Sequence, residues 1–413
     1  MNKRKILFTG FAPNLTLKDI KIASGFLFNP LKWNIWRYGV FEEKVTKKLK
    51  NYLGVEYCYT FDSGRSALYY ALKSLGVKEG DIVAVQAYTC VVVVNAIKQV
   101  GATPLYIDIG PDLNMDPSDL KSKLTNNTSC VIIQHTFGQP AKLEELLSVV
   151  KDSGIKTIED CAHAFGVTHK GALLGRFGDI GMYSFGADKS LSSARGGALS
   201  TKSQELAKVI ENELSSLKKP SLLSVFQHLA HFPLFYIGKK FYHLGVGKWL
   251  LWIFKKLNIL NTIVHRKEKN GLPLHIYPSS LPNALCAILI NQIDGVDEVN
   301  KHRSDMKEVY DKELGDIQKQ KVAIGTPTLR YTLFVDNPKE LLQKAKEMGV
   351  ILGSWYDTVL APCDIDMNAT VYTAGSCPNA EKYSKQSINL PTNRYIEVKD
   401  AKYIARIVND YVR

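Results

Sequence analysis

Between about residues 60 and 200 the apolar positions alternate between two spacings. In SGRSALYYALKSLG they recur every three or four residues behind a serine able to cap, which predicts an amphipathic helix. DIVAVQAYT is a short apolar run and predicts a buried strand; VVVVNAIKQVG returns to helical spacing, and TPLYIDI to a strand. CVIIQHTFG, KTIEDCAHAFG and DIGMYSFG are further strand-like runs, each ending in polar or small residues. Strands alternating with helices imply an α/β fold with a mainly parallel sheet covered on both faces. After about residue 275 the pattern changes. LPNALCAILINQIDGVDEVNKHRSDMKEVYDKEL predicts one long helix and KDAKYIARIVNDYVR a terminal one, within a smaller α+β lobe. The expected organisation is an N-terminal segment (1–45), a large domain (46–203), a helical insertion (204–275) and a C-terminal domain (276–413).

In such a sheet, ligands bind beyond the carboxyl ends of the strands. Tyr88, His135, Asp160 and Lys189 all fall at or just past those predicted ends. Lys189, in SFGADKSLSSARGGALST, is either a solvated loop residue or a reactive amine held over something bound. Asp160, taken alone, would cap a helix or pair with a surface cation. Taken together, the two end separate strands and can converge in one crevice. An amine on one side of a flat heterocycle and a carboxylate at its ring nitrogen is the arrangement pyridoxal phosphate needs to act as an electron sink. Its phosphate needs a separate cradle, and Ser63-Gly64-Arg65 opens a predicted helix, where free N–H groups and the positive dipole end favour an anion. Gly64 lets the backbone come close. Tyr88 either stacks on the ring or is a half-buried core tyrosine. His163 either donates to the ring phenolate or is structural. Ser184 either anchors the phosphate or ends a strand.

Charge adds a second feature. The chain carries 53 Lys and Arg against 40 Asp and Glu, a formal net charge of +13. Most of the excess lies in 218–269, where Glu268 is the one acid. The same stretch holds Trp249 and Trp252 among leucines and phenylalanines. A membrane span needs about 20 predominantly apolar residues, and Lys239, Lys240, His243 and Lys248 interrupt every candidate window. Two readings remain: a helix lying at an anionic membrane surface, or a helical excursion packed on the body or on a neighbouring subunit. Nucleic acid fits poorly, because the basic residues accompany bulky aliphatics and no binding motif appears. The seven cysteines are scattered, without a Cys-x-x-Cys pair or a histidine cluster. That argues against zinc and against a disulfide scaffold, and fits a reducing compartment. MNKRKILFTGFAPNLTLKD has a short, broken apolar run and no cleavage pattern, so no secretory signal is expected. The expected location is cytoplasmic, at the inner membrane surface if 218–269 follows the first of these two readings and free of it if the second.

From about residue 40 to the C-terminus, outside 204–275, the chain resembles the DegT-type sugar aminotransferases, which belong to the aspartate-aminotransferase-like fold type I pyridoxal-phosphate enzymes. The resemblance rests on FEEKVTKKLKNYLGVEYCYTFDSGRSAL, on TIEDCAHAFGVTHKGALLGRFGDIGMYSFGADKSLSSARGGALST and on INLPTN. It implies that Lys189 holds the cofactor and then acts as general acid and base. Asp160 would pair with the pyridine nitrogen and His163 with the phenolate, at a position often filled by Gln. Ser63, Gly64, Arg65 and Ser184 would hold the phosphate, and Tyr88 would stack on the ring. The implied reaction moves an amino group, with glutamate as donor, onto a nucleotide-linked keto-sugar for surface polysaccharide or glycolipid synthesis, in a homodimer. Relatives with His in place of the lysine are dehydratases, so Lys189 favours transamination. A pyridoxal-phosphate dehydratase and a cofactor-binding but catalytically silent scaffold are the alternatives. Three departures from the family pattern stand out: Arg65 in place of a small threonine, Pro278 near the place of an asparagine that reaches a neighbouring subunit, and the long basic segment 218–269. Trp355 and Tyr356, in GSWYDTVLAPCDIDMN, either pack or touch substrate.

Overall fold

The computed structural model describes residues 5–412 except 11, 152, 216, 258, 261–263 and 273–277. Its centre is a seven-stranded sheet built from β1 (Tyr57–Phe61), β2 (Ile82–Gln86), β3 (Thr103–Ile107), β4 (Thr128–Gln134), β5 (Lys156–Asp160), β6 (Ile180–Ser184) and β7 (Gly197–Thr201). The strand order is β1-β7-β6-β5-β4-β2-β3. β7 runs antiparallel to β1 and β6, and the remaining pairs are parallel. β2 and β4 are almost wholly buried, as apolar strands covered on both faces must be.

Helices fill those faces because their apolar residues recur at helical spacing. The Phe41–Leu53 helix buries Val45, Leu49 and Leu53 in a core shared with the Leu143–Val150 and Asn283–Asp294 helices. The opposite face carries Gly64–Ser74 and Val91–Gln99. Register sets where the strands stop. Asp160 lies opposite Gln134 and Met182, while Gly197 lies opposite both Ser184 and Phe61. The ends of β5 and β6 and the turn after β1 therefore meet at one edge.

The smaller lobe pairs Arg330–Phe334 with Ser387–Pro391 in an antiparallel ribbon. It packs with the Val296–Leu314, Pro338–Glu347 and Val398–Val412 helices around a separate apolar core. Leu7–Phe8 adds a parallel pair with Val350–Ile351. The long helix expected after residue 282 is two helices, Asn283–Asp294 and Val296–Leu314, broken at Gly295, a residue of low helix propensity. The first of them packs into the large core beside Phe41–Leu53, although it falls in the stretch assigned to the C-terminal domain. The basic segment forms a hairpin of two helices, Leu222–Lys240 and Val246–Lys256. The first lies along the Leu17–Leu27 helix.

Candidate active site

Neighbouring residues of a strand point to opposite faces, and the acidic pair at the end of β5 divides accordingly. Glu159 is fully buried and its carboxylate accepts four hydrogen bonds. Phe177 and Gly178 donate their backbone N–H groups to Oε1 at 2.5 and 2.8 Å. The Gly175 N–H and the His135 ring donate to Oε2 at 2.9 and 3.2 Å. His135 Nδ1 accepts the Ala141 N–H at 3.1 Å, which leaves Nε2 as the protonated nitrogen facing Glu159. Burial pushes the Glu159 carboxyl up, but the His135 bond and the backbone amides outweigh it and hold the group below its usual range. Cys161 lies close to both residues, yet the donors already present use the Glu159 lone pairs. The cluster is a hydrogen-bond hub that pins the 175–178 turn.

Asp160 is buried with far less support. Oδ1 accepts the Ala162 N–H at 2.9 Å, and Oδ2 has no hydrogen-bond partner among the described residues. Burial raises its pKa, against the smaller effects of the Ala162 amide, Lys189 and His135. A carboxylate with an open oxygen, facing a lysine, is suited to a cationic partner.

Lys189 follows the end of β6, with its N–H bonded to the Gly186 carbonyl at 3.1 Å. Nζ lies 3.2 Å from His163 Nε2 and 3.7 Å from Asp188 Oδ2. His163 Nδ1 accepts the Phe137 N–H at 3.3 Å. Burial, Lys189 and Arg330 hold the His163 pKa well below its ordinary value. The ring is therefore neutral with its proton on Nε2, a donor aimed at the site. Phe137 stacks on it, with centroids 5.3 Å apart. Asp188 is anchored by Arg330 at 3.2 Å. Burial raises the Asp188 carboxyl, but Lys189 and Arg330 overcompensate and hold it at about 2. Arg330 in turn lies 3.7 Å from the Trp355 ring centroid, and Tyr356 packs beside Phe137 and His163. The Asn14 side chain donates to the Lys189 carbonyl, so the N-terminal segment braces the lysine loop.

The expected anion cradle sits next to this group. Ser63 caps the Gly64–Ser74 helix, its Oγ accepting the Ser66 N–H. A Cβ on Gly64 would lie 2.8 Å from Ser184 Cβ and 2.9 Å from its Oγ, so glycine is required for the helix start to reach β6. Arg65 does not stand as an open cation. It pairs with Glu268, both side chains largely buried, and the acid of the basic segment thereby docks on the cradle. Pro278 lines a cavity of about 300 Å³ together with Arg65 and Glu268; 275–277 lie outside the described residues. A larger cavity of about 630 Å³, between Pro140 and Tyr331, contains none of these site residues.

Tyr88 is a correction. A ring that stacks on a cofactor must offer a face to the crevice, but Tyr88 is fully enclosed. It meets Phe137 and Tyr356 edge-on. Its hydroxyl bonds to Ser387 Oγ at 2.8 Å and accepts the Tyr356 N–H at 3.1 Å. At Cys90, two residues on, burial raises the thiol pKa against smaller lowering effects of the Val92 amide, Lys189 and Arg65. Arg330, Asp188 and Asn14 were not anticipated. An arginine in the buried strand RYTLF was the available signal for the first; Asn14 gave none.

The open carboxylate oxygen of Asp160, the His163 donor and the glycine-dependent approach to Ser184 fit pyridoxal phosphate, with Lys189 within reach of the same space. This combination at the end of a parallel sheet defines a pyridoxal-phosphate enzyme of fold type I. More narrowly, the chain belongs to the DegT/DnrJ/EryC1/StrS aminotransferase family, whose model matches residues 28–225 and 264–409. It is similar to GDP-perosamine synthase of Escherichia coli O157:H7, 36% identical over 197 residues, 48% of this chain and 53% of that protein. It is also similar to GDP-perosamine synthase of Vibrio cholerae, 26% identical over 388 residues, 90% of this chain and 91% of that protein. The fold matches Spr1654 of Streptococcus pneumoniae, solved in a PLP form, with a TM-score of 0.75 at 19% identity, over 99% of this chain and 100% of that one.

Proposed function

We propose that this chain transfers an amino group from glutamate to the keto carbon of a nucleotide-linked sugar, with pyridoxal phosphate held at Lys189, for surface polysaccharide or glycolipid synthesis. The observation that carries the reading is the meeting of Lys189, His163 and Asp160 at one sheet edge, beside the Gly64–Ser184 contact. The bound cofactor supplies the electron sink for a deprotonated amino donor. The protein does the rest. Asp160 offers its open oxygen to the ring nitrogen and keeps it positively charged. His163 donates from Nε2 to the phenolate oxygen. Ser63, Gly64 and Ser184 hold the phosphate at the helix start. Arg65, already paired with Glu268, orients that loop. Lys189 Nζ would take the proton from the donor carbon and deliver it to the cofactor carbon, so that the amino nitrogen stays with the cofactor, as a positioned general acid and base does. Asp188, fixed by Arg330, keeps a negative charge beside that amine. The two relatives named for a GDP-linked amino sugar support a nucleotide-linked acceptor.

The test has two arms. Borohydride reduction followed by peptide mass mapping is expected to leave the cofactor mass on the peptide containing Lys189. Lys189→Ala is expected to lose both that adduct and all transamination, while mass spectrometry of products from a panel of nucleotide-linked keto-sugars identifies the acceptor. Cofactor mapped to another lysine, or a Lys189→Ala variant that still transaminates, overturns the proposal.

A further inference from the structure

The hairpin 222–256 carries a feature that the chemistry above does not use. The Leu222–Lys240 helix is rooted in the large core through Val225, Leu229 and Phe232. Its partner, Val246–Lys256, is held against it at two glycines. A Cβ on Gly238 would lie 2.6 Å from Leu251, and one on Gly247 would lie 2.1 Å from the Gly238 carbonyl oxygen. Backbone meets side chain at Gly238 and backbone meets backbone at Gly247, so the hairpin presents its outer surface as a firm unit. That surface is apolar. Ile237, Phe241 and Leu244 are exposed around the tip, while Trp249 and Trp252, three residues apart on one helix face, are 60% and 57% exposed.

Its charge has one sign. From 214 to 267 there is no Asp or Glu, and Lys240, Lys248, Lys255 and Lys256 are exposed around the tryptophans. Lys239 turns inward instead, 3.6 Å from the Tyr395 ring centroid. No helix among the described residues is long and apolar enough to cross a membrane.

We propose that this hairpin docks the protein on an anionic lipid surface. Trp249 and Trp252 would enter the headgroup region, where tryptophan is favoured. The lysines would pair with lipid phosphates, as in other amphipathic helices that lie in the interface plane. A second copy of the chain fits the same face badly. A two-fold contact sets a patch against itself, which here brings an acid-free, lysine-bearing surface against its own like. The family model also leaves out 226–263, so the tryptophan face lies outside the residues this chain has in common with that model.

The experiment is sedimentation of the full chain with vesicles of phosphatidylcholine alone or mixed with phosphatidylglycerol, at low and high salt. Binding is expected only to the mixed vesicles and is expected to weaken as salt screens it. Each exposed lysine at such a surface contributes about fivefold in affinity. Lys248→Glu/Lys255→Glu/Lys256→Glu should therefore lower affinity by about a hundredfold or more, and Trp249→Ser/Trp252→Ser by at least about tenfold. Both variants should keep the wild-type melting temperature and the wild-type rate on soluble substrates, which separates this proposal from the aminotransferase reading. Absence of binding to mixed vesicles at low salt overturns it, as does equal binding to neutral vesicles or unchanged binding by both variants. Light scattering that shows Trp249→Ser/Trp252→Ser breaking an oligomer, with lipid binding intact, assigns the face to a second copy and likewise overturns it.

Discussion

Glu159 and Asp160 are consecutive, buried and of like charge, yet the structure predicts opposite consequences for removing each charge. Glu159→Gln keeps the shape but leaves one acceptor oxygen where there were two. Oε1 and Oε2 each receive two N–H donors, so whichever way the amide turns, its NH2 group faces two donors. Each stranded donor costs about 1–3 kcal/mol, giving roughly 4 kcal/mol in all. At about 2.1 cal/mol/K of unfolding entropy per residue, a chain of 413 residues unfolding as one unit should lose about 4–5 °C in melting temperature. Asp160→Asn removes a charge that burial already disfavours and that a single N–H supports. Its cofactor-free form should melt within about 1 °C of wild type or higher. Its activity should collapse, because removing one partner of a buried ion pair costs about 3–5 kcal/mol, equivalent to about 10²- to 10⁴-fold in rate. Calorimetry of cofactor-stripped protein and initial rates of keto-acid formation from glutamate measure the two quantities. A Glu159→Gln variant that melts like wild type would refute the reasoning, as would an Asp160→Asn variant that loses several degrees but keeps its rate.

Other outcomes follow from the same geometry. Asp188 has its folded pKa lowered to about 2 from 3.8, so its stabilisation is full above about pH 4 and is lost as pH falls toward 2. The shift is worth about 2 kcal/mol, and urea unfolding should show the gap between wild type and Asp188→Asn shrinking by about half of that by pH 3; a constant gap would contradict the ion pair with Arg330. Tyr88→Phe strands the buried Tyr356 N–H and should lower stability by about 1–3 kcal/mol with cofactor affinity unchanged. Unaltered stability would contradict a structural role for the buried hydroxyl. Glu268→Gln leaves an extra positive charge at Arg65 and should tighten cofactor binding by about 1 kcal/mol, roughly fivefold, in a fluorescence titration; weaker binding would show that the pair holds the cradle in shape.

The sheet was legible because β2, β4, β5 and β6 are short apolar runs that stop at polar residues, and those stops mark the ligand edge. Lys189, Asp160, His163 and Ser184 stood out as candidates for the same reason: each sits at or just beyond a strand end. Tyr88 shares that position and misleads, because a strand end gives proximity to the edge but not which wall of it a side chain joins. The ring of Tyr88 goes to Phe137 and Tyr356, which arrive from distant parts of the chain. Arg330 and Asn14 were hidden by the same distance. Their contacts with Asp188 and Lys189 exist only once the smaller lobe and the N-terminal segment have docked, and local periodicity carries no record of docking. The break at Gly295 was visible as a glycine, but apolar spacing continued across it and outweighed the signal.

Three buried carboxylates and the half-buried Asp188 stand near this edge, and they differ in how many donors each already has. Glu159 is saturated by four N–H groups. Asp188 is held by Arg330 and Lys189. Asp62 receives the Ser63 hydroxyl and the Ser279 N–H on Oδ1, with Arg195 3.9 Å from Oδ2. Asp160 has one amide and an open oxygen. The open oxygen of Asp160 leaves room for one further donor. Lys189 and His163 face the same space, and each already has a local partner, Asp188 for the amine and the Phe137 N–H for the ring. The open oxygen of Asp160 is where the ring nitrogen of the proposed cofactor would donate.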